Sequence, residues 1–266
     1  MLNEHVLITG ACSGLGKALA QQCAKRGMNL ILVELPGMNA ASLATFLQHA
    51  YGIKVVVFEF DLTNLGEMQQ QLQRISEQYS LSFVINNAGI GGTEPLMTAS
   101  LERLDQIIAL NVRSMALLTR VLLPNLVAHG DSYILNVSSM AAFTPIAYKT
   151  VYPATKAFIA SFSLGLREEL KGSGVSVSVL YPGAIMTNAS VSRRILGLGF
   201  KGKIGLLSTD EIAAMAIRKT LEKQATIIPG RINRLSQVML RFLPTLFKSG
   251  IVSRAVKKEI QFTPAY

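Results

Sequence analysis

Short apolar, β-branched runs alternate with longer segments of helical period along most of this chain. That alternation is what most limits the folds open to it. The runs lie at 5–9, 29–34, 54–58, 82–86, 132–137, 175–181 and 225–228. Between them, helical spacing covers 14–26, 40–51, 65–78, 101–127 with a break, 153–170 and 210–224. The runs are continuously apolar rather than alternating, as expected of strands with helices on both faces. Strand–helix alternation sustained this long predicts right-handed crossovers and an α/β, doubly wound parallel sheet of about seven strands. Ser208 followed by Glu211 is a capping-box start for the 210–224 helix. Half of the residues are hydrophobic and 16% are charged, enough apolar side chain for a large core.

These features assign 1–230 to one domain. Two stretches stand apart. Residues 188–207 carry Arg193, Arg194 and several glycines with little periodicity, after a strand end, and are read as a substrate lid. Residues 231–266 form a basic amphipathic extension, which supplies +6 of the formal +10 charge through seven Lys/Arg and one Glu. The two cysteines, Cys12 and Cys23, do not form a metal-ligand spacing or a disulfide framework. No metal site is expected, and a reducing, cytoplasmic setting is. Neither a secretory leader nor an uninterrupted apolar run of spanning length is read in the chain.

The first run leads into Thr9-Gly10-Ala11-Cys12-Ser13-Gly14-Leu15-Gly16 and then an amphipathic helix. Gly10 permits a sharp exit from the strand, Gly14 leaves the backbone open to a pyrophosphate, and Gly16 lets the helix pack closely on the sheet. The anion would rest on free N–H groups at the positive end of the helix. Glu34 ends the second run, 18 residues after Gly16, where a carboxylate can accept from the adenosine ribose hydroxyls and repel a 2′-phosphate. No Lys or Arg follows it immediately. The reading therefore favours NAD, with NADP as the other candidate.

Tyr152-Pro153-Ala154-Thr155-Lys156 opens a predicted helix and puts a phenol and an ammonium on one face. A phenol titrates near 10, and a neighbouring cation lowers that value. Lowering it by about three units requires roughly 4 kcal/mol from the lysine and a cationic nicotinamide together. Pro153 disfavours helical geometry at Tyr152, so the helix is expected to begin with the proline at its first position.

Further motifs accompany this pair: Asp61-Leu62 after the third run, Asn86-Asn87-Ala88-Gly89 after the fourth, and Asn111 in the following helix. Asn136-Val137-Ser138-Ser139 ends the fifth run, with Ser139 13 residues before Tyr152, and Pro182-Gly183-Ala184-Ile185-Met186-Thr187 follows the sixth. In this order and spacing, the chain from about 5 to 230 resembles the classical short-chain dehydrogenase/reductase family.

The resemblance implies a Rossmann-like fold and NAD(P)-dependent hydride transfer between an alcohol and a carbonyl. It implies catalytic roles for Asn111, Ser139, Tyr152 and Lys156. Ser139 would hold the substrate oxygen, Tyr152 would carry the proton, Lys156 would bind the nicotinamide ribose, and Asn111 would hold a relay water. Cofactor contacts are implied for Gly10, Cys12, Ser13, Gly14, Leu15, Gly16, Glu34, Asp61, Leu62, Asn87, Ala88, Gly89, Tyr152, Lys156, Pro182, Gly183, Ile185 and Thr187. Ser138 is the rival to Ser139, and strand alternation points the two to opposite sides. Asn86 and Asn87 are expected largely to satisfy backbone groups. By the same resemblance, a homodimer or homotetramer is expected. The rival functions are a dinucleotide-binding regulator without turnover and a lyase or epimerase that uses NAD transiently.

The tail repeats Ile232, Leu235, Val238, Met239, Phe242 and Leu243 at helical spacing among arginines, until Pro244. Such a segment suits a membrane surface over 231–260, the mouth of a pocket for a small and hydrophobic alcohol or carbonyl substrate, or a second subunit. Nucleic acid is not expected as a partner, because the basic charge is confined to a tail without aromatic stacking motifs.

Overall fold

The computed structural model describes residues 4–183 and 207–242, together with 249, 250, 253, 256 and 257. Seven parallel strands form one sheet: β1 (Glu4–Thr9), β2 (Asn29–Glu34), β3 (Val55–Glu59), β4 (Ser80–Asn86), β5 (Ser132–Val137), β6 (Val175–Leu180) and β7 (Thr226–Ile227). Their order is β3-β2-β1-β4-β5-β6-β7. The order reverses between β1 and β4, so the crevice at the carboxyl ends of these strands is the expected ligand position.

The helices are α1 (Gly14–Ala24), α2 (Ala40–Tyr51), α3 (Leu65–Gln78), α4 (Leu101–Ile108), α5 (Met115–His129), α6 (Val151–Glu169), α7 (Thr209–Leu221) and α8 (Arg231–Phe242). Helices α1, α2 and α7 cover one face, and α3, α5 and α6 the other. In β1, Val6 and Ile8 enter the first core and Leu7 the second; in β2, Leu30 and Leu32 oppose Ile31 and Val33. This is the two-residue period of a strand buried on both sides, each large side chain contributing about 1.5–3 kcal/mol of burial.

Several expectations shift. Helix α6 begins at Val151, so Tyr152 is already helical and Pro153 is the third helical residue rather than the first. A proline there is tolerated because the first four N–H groups of a helix have no intrahelical acceptor. The break in 101–127 is a π-helical turn, Ala109–Ser114, and the helix after it runs on to His129. There Ser114 Oγ donates to the carbonyls of Ala109 and Leu62 at 2.7 and 2.8 Å. The capping box at Ser208 and Glu211 forms as read, and the helix begins at Thr209.

The stretch Leu101–His129 is long and apolar enough to cross a membrane by length and composition. Its Leu118, Leu122 and Leu126 are buried in the second core. The expected lid, apart from Leu207, lies outside the described residues, as do Ile185, Thr187 and most of the tail beyond Phe242.

Candidate active site

The glycine turn follows β1 with Gly10 at φ +65° and Gly14 at φ +49°, conformations that glycine adopts without penalty. At Gly16 the constraint is space: a Cβ would stand 1.9 Å from the Gly10 carbonyl oxygen. The Asn87 side-chain amide donates to the carbonyls of Thr9 (3.0 Å) and Gly10 (2.9 Å), which clamps the turn. Thr9 Oγ1 accepts from the Asn87 and Ala88 N–H groups. Asn87 therefore satisfies backbone groups as expected. Asn86 does not, donating instead to the Thr119 hydroxyl and the Asn136 side chain.

A pyrophosphate fits this turn. Ser13, at the start of α1, makes no side-chain capping bond, and no acid occupies the first turn. The N–H groups there are thus left to an anion. Glu34 Oε2 accepts from the Cys12 N–H at 2.8 Å, and Oε1 from the Leu35 N–H at 3.1 Å. Glu59 lies in register beside Glu34 on β3. Burial, then the carboxylates of Glu34 and Glu59, push the Cys12 thiol up to about 12, so it is protonated at neutral pH. Asp61 Oδ1 accepts from both the N–H and the hydroxyl of Thr63, which closes the turn before α3.

At the middle of the sheet edge, Lys156 is 5% exposed and its Nζ donates to the Val137 carbonyl at 3.0 Å. The same Nζ stands 5.7 Å from the centroid of the Tyr152 ring. Burial alone pulls the ammonium down to about 8. Asn111 is fully buried within the π turn; its amide donates to Ile90 O (2.8 Å) and Thr155 Oγ1 (3.1 Å), and its Oδ1 accepts from Ile90 N–H (2.9 Å). Gly89 makes room for both: a Cβ there would lie 3.0 Å from Asn111 Oδ1 and 3.4 Å from Lys156 Nζ.

The two serines part as strand alternation predicts. Ser138 is buried and its hydroxyl donates to the Lys156 carbonyl at 2.7 Å. Ser139 caps the 3-10 helix Met140–Phe143, where its Oγ accepts from Ala141 N–H at 3.1 Å and its O–H hydrogen remains to be directed. A cleft beside Tyr152 is lined by Leu96, Leu104, Ile107 and Val151, with Arg103 and Tyr148 also on its wall.

A model of the short chain dehydrogenase family matches residues 4–195. The chain belongs to that family. It is an NAD(P)-dependent oxidoreductase that moves a hydride between a nicotinamide and a CH–OH or carbonyl group. This short chain dehydrogenase is 28% identical to the ketoacyl reductase HetN of Nostoc sp., over 91% of the chain and 84% of that protein. It is 31% identical to a very-long-chain 3-oxoacyl-CoA reductase of Anas platyrhynchos, over 71% of the chain and 62% of that protein. Among solved structures, a short-chain dehydrogenase from Sphingobium yanoikuyae in complex with NADPH superposes with a TM-score of 0.77 at 28% identity, covering 91% of this chain and 96% of that one.

In this dehydrogenase the fold gathers the predicted residues at one edge. Gly10 to Gly16 follow β1, Glu34 ends β2, Asp61 and Leu62 follow β3, Asn87 to Gly89 follow β4, Ser139 follows β5, and Pro182 and Gly183 follow β6. Sequence reasoning missed the supports around them. Gly91 packs on the Tyr152 ring, where a Cβ would meet ring carbons at 3.3 Å, and Arg103 Nη2 donates to the Gly91 carbonyl at 2.6 Å. Thr155 holds Asn111, and Glu59 doubles the charge at Glu34. Only Thr155, inside the Tyr-to-Lys spacing, carried any local signal. The other contacts depend on chain segments brought together by folding. Among the described residues, no three His, Cys, Asp or Glu side chains gather as metal ligands.

Proposed function

We propose that this enzyme interconverts the 3-oxo and 3-hydroxy groups of hydrophobic acyl compounds, with NAD preferred to NADP. The observation that carries the chemistry is the pairing of Tyr152 and Lys156 on the first turns of α6, beside Ser139 at the end of β5. When bound, the reduced nicotinamide supplies the hydride to the carbonyl carbon. Ser139 donates its free O–H to the substrate oxygen and orients it. Tyr152 gives its phenolic proton to that oxygen as the alcohol forms, and takes it back in the reverse direction. Lys156 stabilises the phenolate left behind and binds the nicotinamide ribose. Asn111, held by Ile90 and Thr155, is assigned the water that returns the proton to the tyrosine side. Pyrophosphate is assigned to Gly10, Cys12, Ser13, Gly14, Leu15 and Gly16, the adenosine end to Glu34, Asp61 and Leu62, and the nicotinamide end to Ala88, Gly89, Pro182, Gly183, Ile185 and Thr187.

The substrate class is supported by the two relatives named as oxoacyl reductases and by the apolar wall of the cleft at Tyr152. Each methylene buried in that cleft contributes about 0.8 kcal/mol, so two more methylenes raise kcat/KM roughly tenfold until the cleft is full. A panel of 3-oxoacyl thioesters of increasing length, run against aliphatic ketones, steroids and sugars, tests this. A flat dependence on acyl length, or a sugar as the best substrate, would remove the assignment. The same assay separates turnover from the two rivals. A regulator produces no net change in nicotinamide absorbance, and a lyase or epimerase accumulates no reduced cofactor with an alcohol.

The NAD preference rests on Glu34 and Glu59, which put two carboxylates where a 2′-phosphate would have to sit. Like charges brought together at a binding site cost several kcal/mol. Glu34→Gln removes one charge and keeps one acceptor oxygen for the Cys12 N–H, giving up the second acceptance, from the exposed Leu35 N–H. It is expected to raise kcat/KM for NADPH by about tenfold, roughly 1.4 kcal/mol, with a smaller loss for NADH. An unchanged ratio of the two cofactors would show that Glu34 does not select between them. We further assign the enzyme to a cytoplasmic setting, supported by two free cysteines, Cys12 and Cys23. Contact with a bilayer is assigned to residues 231–260 alone. A homodimer or homotetramer is supported by the half-exposed Phe158 and Leu164 on α6 and Leu117 on α5.

A further inference from the structure

Helix α8 lies with its polar side toward the protein. Asn233, Ser236 and Gln237 are half-buried, whereas Ile232, Leu235, Val238, Met239 and Phe242 are exposed, from 44% at Ile232 to 81% at Phe242. Globular helices turn their apolar stripe inward. Here a contiguous stripe of five large side chains at three- and four-residue spacing faces out, which marks an interaction surface.

Charge decides what covers it. Exposed Arg231 and Arg234 stand on the same helix, and α8 contains no acidic residue. Residues 231–266 hold seven Lys/Arg and one acid, residues 184–206 hold four and none, and the rest of the chain holds fifteen of each. The whole +10 therefore resides in two stretches of the sequence, one that contains this helix and one that follows Gly183. A second α8 would set arginine against arginine, and neither basic stretch complements the helix. The complementary occupant is apolar in its interior and anionic at its surface.

The location links this face to the reaction. Helix α8 packs against the 3-10 helix capped by Ser139. Its Asn233 abuts Gly183, where a Cβ would stand 2.7 Å from the Asn233 Nδ2. We propose that α8 docks on an anionic lipid surface, with Ile232, Leu235, Met239 and Phe242 entering the acyl boundary and the arginines meeting the headgroups. An amphipathic helix of this kind lies in the plane of the interface, and anionic lipid strengthens its binding. The docked enzyme would hold the 3-10 helix capped by Ser139 on the bilayer side of the molecule.

Co-sedimentation of the full-length protein with phosphatidylglycerol–phosphatidylcholine vesicles, against pure phosphatidylcholine vesicles, tests the proposal. The bound fraction is expected to be about tenfold higher on the anionic vesicles and to fall as salt is raised. Leu235→Ser/Met239→Ser/Phe242→Ser and, separately, Arg231→Glu/Arg234→Glu should each reduce binding about tenfold. Both variants should retain NAD(P)-dependent turnover of a water-soluble ketone, which shows that they fold. Two results would overturn the proposal: no binding of the parent protein to anionic vesicles, or undiminished binding by the two variants. A drop in solution mass in the serine variant, with no lipid binding by the parent, would reassign the face to a second copy of the chain.

Discussion

Replacing Tyr152 by phenylalanine is expected to lower turnover by about 10²–10⁴-fold, the usual contribution of a positioned general acid. The change is small in shape. The ring keeps its packing against Gly91, so neither the start of α6 nor the loop after β4 should move. Only the hydroxyl is lost, and with it the proton that must reach the substrate oxygen as hydride arrives at carbon. The turn and helix end that receive the dinucleotide lie on β1 and α1, so cofactor affinity should stay within about threefold, under ~1 kcal/mol. Steady-state turnover with a 3-oxoacyl thioester and fluorescence titration of NADH measure the two quantities separately. Undiminished turnover would place the proton donor elsewhere and remove the mechanism.

A second large effect is expected at Lys156, in two directions at once. Its ammonium is buried and pulled down to about 8 by burial alone, with no carboxylate among the causes. The unfolded chain titrates this group near 10.5. Below pH 8 the folded protein therefore bears the full cost of a buried cation, on the order of 3 kcal/mol at 1.36 kcal/mol per unit. Between 8 and 10.5 the folded state releases its proton first, and the cost fades as pH rises. Lys156→Met removes the charge and also the bond to the Val137 carbonyl, which offsets about 1 kcal/mol. The variant without cofactor is therefore expected to be more stable than the parent by about 2 kcal/mol at pH 7, with the gap shrinking toward pH 10.5. Its turnover should fall by about 10²-fold or more, because no cation then stands beside the phenolate that proton transfer leaves on Tyr152. Urea unfolding at the two pH values checks the first half. A variant less stable than the parent at pH 7 would show that the ammonium is paired in a way burial does not capture.

A stabilising substitution that destroys activity is the expected mark of a site where function overrides local preference. Lys156 is such a position, and so is the π turn that carries Asn111. The turn adds a residue to the helix where Asn111 clasps both Ile90 and Thr155. The periodicity of 101–127 showed that something interrupts the helix. It did not show what, because the reason is the loop after β4, distant in sequence.

The chain's own order of residues determined the architecture and most of the site. Strand and helix periods are set by neighbours one to four residues apart. The glycine turn, the Tyr–Lys spacing and the motifs at strand ends are local patterns too, so parallel winding delivered them to one edge. Tertiary structure alone decided the rest, since it depends on segments far apart along the chain. Register set Glu59 beside Glu34. The covering of β5 by α6 buried Ser138 under the Lys156 carbonyl and left Ser139 to cap the 3-10 helix. Burial moved the Lys156 ammonium, and the packing of Asn233 at Gly183 turned the apolar side of α8 outward. A stripe of apolar residues fixes the width of a helix's apolar face, and only the surface it meets decides whether that face points in or out.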